Sequence, residues 1–271
     1  MKQEEIKKIV REGYGKIARK EGSCCPPTSS CCGSSRPDDL SRKIGYSEEE
    51  LSSVPEGANL GLGCGNPVAL ASLKKGETVL DLGSGPGFDC FLAANKVGKS
   101  GKVIGVDMTP DMLDRARENA RKGNFTNVEF RLGEIENLPA ADNSVDAIIS
   151  NCVINLSPDK KRVFKEAYRV LKHGGRLMVS DLVLTKELPE AMKGSVEGYL
   201  GCISGAISKE EYLQAIEKAG FKDINIVDES YYLDLLNDPG VSSYVETFNI
   251  SRDVLKEIAE STVSIKVHGK K

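Results

Sequence analysis

The sequence predicts an α/β protein built on a doubly wound, mostly parallel sheet. Strand-like runs alternate with helix-like runs between about residues 77 and 220. A glycine-rich turn, "LGSGPG", joins the first of those strands to the helix after it. Several helix-like stretches open on a capping residue and close on glycine. Short apolar strands separated by amphipathic segments mean a sheet covered by helices on both faces. A chain of 271 residues makes one such domain with extensions, or two small domains.

Ile6, Ile9, Val10, Tyr14 and Ile17 recur at helical spacing, so residues 1–20 read as an amphipathic helix. "GSCCPPTSSCCGSSRPDD" follows as a loop broken by Gly, Pro and Ser. Ser47 with Glu50 three residues on is a capping box that starts a short helix. "LGLGCGNPVALASL" reads as a glycine-rich turn into another short helix. Strands are predicted at 77–82, 102–107, 127–133, 145–150 and 175–183. Between them, "FDCFLAANKVG", "PDMLDRARENARKG" and "PDKKRVFKEAYRVLKHGG" read as helices. Thr109 with Pro110, and Ser157 with Pro158, each offer a cap followed by proline at the first helical position. Ser208 and Glu211 form a second capping box, on a helix ending at Gly220. "FKDINIV" and "STVSIKV" are two late strands, and the stretch 231–260 has no evident role. The expected divisions are an N-terminal helix and cysteine-rich linker (1–43), a ligand-binding core (44–183), and a segment that completes the sheet (184–271).

A net charge of −3 provides no basic field for nucleic acid or an anionic membrane surface. No apolar run approaches the ~18 residues of a membrane span, and "MKQEEIKKIV" lacks the apolar core of a signal peptide. The expected location is cytoplasmic, where thiols stay reduced. Eight cysteines in such a chain point to metal binding, redox or catalysis rather than a disulfide framework. With only His173 and His268 present, a histidine-based metal or triad site is not expected.

"VLDLGSGPGFD" lies between strand and helix, where small residues let backbone N–H groups approach a ligand. A dinucleotide fingerprint counted from Gly83 needs a third glycine at position 88, which is Phe88. The G-S-G-P-G pattern after Asp81 instead resembles the first motif of class I S-adenosylmethionine-dependent methyltransferases. That resemblance implies their Rossmann-like sheet with an antiparallel late strand, and a donor site on Asp81, Gly83, Ser84 and Gly85. It also implies that Asp107, ending the second strand, takes the ribose hydroxyls and that Met108 packs on the adenine. Glu134 would accept from the adenine amino group and Ile135 would cover the ring. The place of Asn151 before Cys152 leaves two readings, contact with the methionine end of the donor or a turn role.

Three cysteines sit in loops able to border that crevice: Cys64 in "GLGCGNP", Cys152 in "SNCVINLS" and Cys202 in "YLGCISGAIS". Glycine neighbours give Cys64 few packing partners, unlike Cys90, which reads as a buried helix residue. These three stretches resemble the arsenite S-adenosylmethionine methyltransferase family over roughly residues 44–230. The resemblance implies that Cys64, Cys152 and Cys202 are required thiols and the ligands of arsenic, the substrate. It further implies a disulfide relay through Cys64 with thioredoxin or glutathione as outside reductant, and arsenite and methylated trivalent arsenicals as substrates. Soft thiolates suit trivalent arsenic. The residues leave two alternatives open: methylation of a carbon or oxygen on a small organic acceptor such as a quinone, or a thiol-rich metalloid sensor. Cys24, Cys25, Cys31 and Cys32 lack zinc-knuckle spacing and fit arsenite capture, the relay, another soft metal or a plain linker.

Overall fold

The computed structural model describes residues 2–19, 37–188, 199, 202–231 and 252–271. Cys24, Cys25, Cys31 and Cys32 lie outside them. Seven strands form one sheet: β1 (Thr78–Leu82), β2 (Lys102–Asp107), β3 (Val128–Leu132), β4 (Val145–Asn151), β5 (Leu171–Leu184), β6 (Lys222–Tyr231) and β7 (Thr262–Lys270). Their order is β3-β2-β1-β4-β5-β7-β6. β7 runs antiparallel between β5 and β6, and the other pairings are parallel. The expected doubly wound sheet with an antiparallel late strand is therefore present.

The described helices are α1 (Gln3–Arg19), α2 (Pro37–Lys43), α3 (Glu48–Ser52), α4 (Pro67–Leu70), α5 (Phe88–Val97), α6 (Pro110–Lys122), α7 (Lys160–Val170), α8 (Lys209–Lys218) and α9 (Arg252–Ser261). Both predicted capping boxes form, at Ser47 and at Ser208. Two readings need correction. Thr109 precedes Pro110 as expected, but at Ser157 the helix starts later. Asp159 is the cap there, accepting from the Arg162 N–H, while the Ser157 hydroxyl donates to Glu136 at 2.6 Å and accepts from the Asp159 N–H at 3.1 Å, holding the turn before the helix. The same helix ends at Val170, short of "LKHGG", because Leu171 pairs with Val145 and joins the sheet.

Two apolar layers flank the sheet. One gathers Leu80, Ile148, Phe164, Leu177 and Tyr212. The other gathers Val79, Phe91, Val103, Ile149 and Met178. Side chains alternate along each strand, so β1 feeds both layers, and each such buried residue contributes roughly 1.5–3 kcal/mol. The chain winds outward from β1 in both directions. The carboxyl ends of β1, β2 and β4 therefore meet at a switch point, where an open α/β sheet leaves a crevice. Helix α1 closes over it, pinned to α6 by Arg19–Asp111 and by Arg115 donating to the Ala18 carbonyl at 3.0 Å.

Candidate active site

The turn after β1 takes left-handed backbone at Gly83 (φ 67°) and Gly85 (φ 50°). A Cβ at Gly83 would strike Val153, whereas one at Gly85 would meet nothing within 4 Å. Close packing behind and open space in front are the conditions for a backbone cradle. Asp107 braces the cradle by accepting from the Gly85 N–H at 2.9 Å and the Thr109 N–H at 2.8 Å. Burial raises its carboxyl above the usual range, against the pull of those N–H bonds. Ser84 Oγ is buried without a partner among the described residues. Asp81, Asp107, Met108, Ile135, Asn151 and Cys152 line the same crevice, and α1 adds Lys7, Val10 and Tyr14. Glu134 lies beside this wall, paired with Lys7 at 2.7 Å.

The floor carries carboxyl groups. Asp81 accepts from the thiol of Cys90, which is fully buried on α5 as its sequence context predicted. Asp89 accepts from the Tyr46 hydroxyl at 2.7 Å and from Asn151 Nδ2 at 3.0 Å. Burial pushes Asp81 well up and Asp89 to about 6. Asn151 also donates to the Gly65 carbonyl and accepts from the Cys64 N–H at 3.0 Å. One side chain thus ties the end of β4 to the loop that carries Cys64.

That loop and two others bring three thiols together. Cys64, Cys152 and Cys202 are all buried in one apolar cluster with Ile6 and Val10 of α1. The Cys64 and Cys152 sulfurs and a carboxyl oxygen of Asp181 lie within 4.8 Å of one another. The Cys202 thiol donates to the Cys152 carbonyl at 2.9 Å. Cys152 is held well above its ordinary value by hydrogen bonds with Cys202 and Cys64, then by burial. Cys152 (φ 59°) and Cys202 (φ 61°) both adopt left-handed backbone. That costs roughly 1–2 kcal/mol per residue for an L-amino acid and persists where surroundings over-determine it. Here the Cys152 N–H bonds Ser180 O at 2.8 Å and the Cys202 N–H bonds Tyr199 O at 3.0 Å.

Sequence reasoning missed Asp89, Asp181, Tyr212 and Lys160. Asp181 is buried, accepts from the Tyr212 hydroxyl at 3.1 Å and the Leu182 N–H at 3.0 Å, and is pushed by burial to about 7. Burial lowers Lys160, whose charge faces Asp181, Cys202 and Glu136. The available signal was a lone acidic residue inside the apolar strand "LMVSDLVL". Asp89 was hidden as an ordinary acidic residue in the first turn of a helix.

Strand order, glycine cradle and the acidic strand end together define a class I methyltransferase. A family model described as a methyltransferase domain matches residues 73–220. The arsenite methyltransferase of Halobacterium salinarum is 46% identical over 242 residues, covering 87% of this chain and 62% of that protein. The Homo sapiens arsenite methyltransferase is 37% identical over 80% of this chain and 58% of its own length. The crystal structure of an arsenic (III) S-adenosylmethionine methyltransferase from Chlamydomonas reinhardtii superposes with a TM-score of 0.63 at 33% identity, covering 86% of this chain and 73% of that one. The chain belongs to the arsenite methyltransferase family, and it spans about three fifths of the length of the two relatives compared by sequence.

Proposed function

We propose that the protein methylates trivalent arsenic using S-adenosylmethionine. The observation that carries this reading is the burial of Cys64, Cys152 and Cys202 in one cluster, from which Cys152 lines the crevice beside the glycine cradle. The crevice suits the donor: among the described residues Ser84 offers a buried hydroxyl with no partner, and nothing lies within 4 Å of a Cβ built at Gly85. Gly83, Ser84 and Gly85 would hold the donor's backbone-facing edge, Asp107 its ribose, and Met108 and Ile135 its adenine. Glu134, Asp81 and Asn151 complete the proposed set. When bound, S-adenosylmethionine supplies an electrophilic methyl on a sulfonium.

The thiols do the rest of the work. Trivalent arsenic exchanges hydroxyls for soft sulfur ligands. Cys152 and Cys202 hold the atom next to the crevice, and Cys64 stands by as third ligand. Arsenic keeps a lone pair, so no protein base has to strip a proton from the attacking atom. What the chain contributes is placement, which turns a bimolecular displacement into an oriented one. Methylation leaves arsenic formally pentavalent. Two thiols can return it to the trivalent state by becoming a disulfide, and the short Cys64–Cys152 approach supports a relay between them. Thioredoxin or glutathione would then reset the pair. In this reading residues 44–183 bind the donor, 1–43 are an N-terminal helix and cysteine-rich linker, and 184–271 bring in Cys202 and complete the sheet. The outcome would be arsenic detoxification.

The test incubates the protein with arsenite, S-adenosylmethionine and a thiol reductant and follows methylated arsenic by mass spectrometry. Methylated product is expected. Tight arsenite binding without product would make the protein a sensor. Failure of both, with donor binding intact, would point to an organic acceptor.

A further inference from the structure

Trivalent arsenic takes three ligands and keeps its fourth direction for a lone pair. Three cysteine thiols satisfy it, and the carboxyl beside them is left over. That carboxyl, of Asp181, is buried, and one of its oxygens lies within 4.8 Å of both the Cys64 and Cys152 sulfurs. A zinc tetrahedron with sulfur bonds of about 2.3 Å and oxygen bonds of about 2.0–2.2 Å has edges of roughly 3.5–3.8 Å. Small side-chain adjustments bring the three atoms onto it. The Cys202 thiol, which hydrogen-bonds to Cys152, stands next to them as a fourth donor.

Asp181 is braced as a metal ligand is braced. The Leu182 N–H donates to Oδ1 at 3.0 Å, the Tyr212 hydroxyl donates to Oδ2 at 3.1 Å, and the backbone N–H of Asn155 adds a third bond. Tyr212 is itself held, fully buried with its ring edge-on to Phe164. Carboxylates that bind metals are oriented by such outer partners. A carboxylate offers about four acceptor positions, so one remains for a cation. Lys160 faces Asp181 and Cys202 and offsets part of the negative charge that thiolates and a carboxylate gather there.

We infer that Cys64, Cys152 and Asp181, with Cys202 as fourth ligand, form a site for a thiophilic divalent cation of the zinc class, and that this cation excludes arsenite from the thiols. The exclusion rests on the arsenite reading, whereas the cation site does not. Soft thiolates serve both ligands. The carboxylate separates them, because four-coordinate zinc uses it and three-coordinate arsenic does not. A bound cation would hold the thiols idle until it is withdrawn.

The probe is zinc alone, titrated against a chromophoric chelator into the reduced full-length chain carrying Cys24→Ser, Cys25→Ser, Cys31→Ser and Cys32→Ser. One zinc per chain is expected, and arsenite should release it. Cobalt in its place should give the thiolate charge-transfer and intense ligand-field absorption of a tetrahedral site. Asp181→Asn keeps the shape of the side chain and removes its charge. It should weaken zinc at least about tenfold and leave arsenite affinity unchanged. If Asp181→Asn does not fold, Tyr212→Phe carries the test, since loosening the carboxylate should weaken zinc about tenfold. No zinc binding, or zinc affinity unmoved by these variants, overturns the inference. Equal losses of zinc and arsenite affinity overturn it too, because Asp181 would then merely support the thiols. Zinc that arsenite cannot displace, in protein that methylates arsenic, overturns the exclusion. Zinc binding that depends on Asp181, in protein that takes up no arsenite, removes the proposed function and leaves the cation site standing.

Discussion

Asp89 is where burial and function pull against each other. Its carboxyl sits at about 6 because burial disfavours the charge, despite bonds from Tyr46 and Asn151. Glu50 adds negative charge nearby and Asp107 lines the same crevice. The proposed donor carries cationic sulfonium and ammonium groups, which favour the ionised form. As pH falls through 6, Asp89 takes up a proton and that attraction is lost. Donor affinity measured by calorimetry should weaken about tenfold between pH 7.5 and pH 5; a flat or rising affinity would contradict this role. Glycine neighbours matter at the same scale. A Cβ on Gly63 would lie 2.6 Å from Asn151 Nδ2, and one on Gly65 would strike Ser180 Oγ. The bare backbone around Cys64, read in the sequence as poor packing, exists so that the loop can pass against Asn151 and Ser180.

Among the elements, α1 links both halves of the site. Lys7 pairs with Glu134 beside the crevice. Val10 is 1% exposed within the thiol cluster. The Tyr14 hydroxyl lies 3.8 Å from the Cys202 sulfur. Its packing is peripheral to the sheet, so displacing it should leave the core folded. Val10→Asp places a charge where no partner awaits it, a penalty of several kcal/mol that undocking relieves. The buried thiols should then react with an alkylating reagent at least about tenfold faster, read by mass spectrometry, with cooperative melting of the core retained. Unchanged alkylation would show that α1 does not shield them.

Much of this was legible in the sequence. Every predicted strand is present, because each is a short apolar run bounded by turn residues. The caps at Ser47 and Ser208 were readable because both partners of the box are local. Ser157 misled because its hydroxyl accepts from Asp159 in the preceding turn while donating to Glu136, 21 residues away, a contact no local pattern encodes. Cys64 and Cys202 were visible through their glycine-rich loops, and Cys152 through its place at the end of a strand. Asp181, Tyr212 and Lys160 were not, since a carboxyl on β5, a phenol on α8 and an ammonium on α7 meet only in the folded chain.

On the scale of the whole molecule, the winding order sets the chemistry. β1 and β4 are adjacent although the chain visits β2 and β3 between them. The cradle after β1 and Cys152 after β4 therefore open on the same crevice. β5 pairs with β4 with Asn151 opposite Ser180, which brings Ser180 and Asp181 beside the Cys64 loop. The central claim is that this arrangement holds arsenic by sulfur at the crevice. X-ray absorption of the arsenite-loaded protein tests it most directly. Sulfur neighbours from Cys152 and Cys202 are predicted around arsenic, with one fewer in Cys152→Ser and in Cys202→Ser. Arsenic surrounded by oxygen alone, or a sulfur shell unchanged in both variants, would contradict the account.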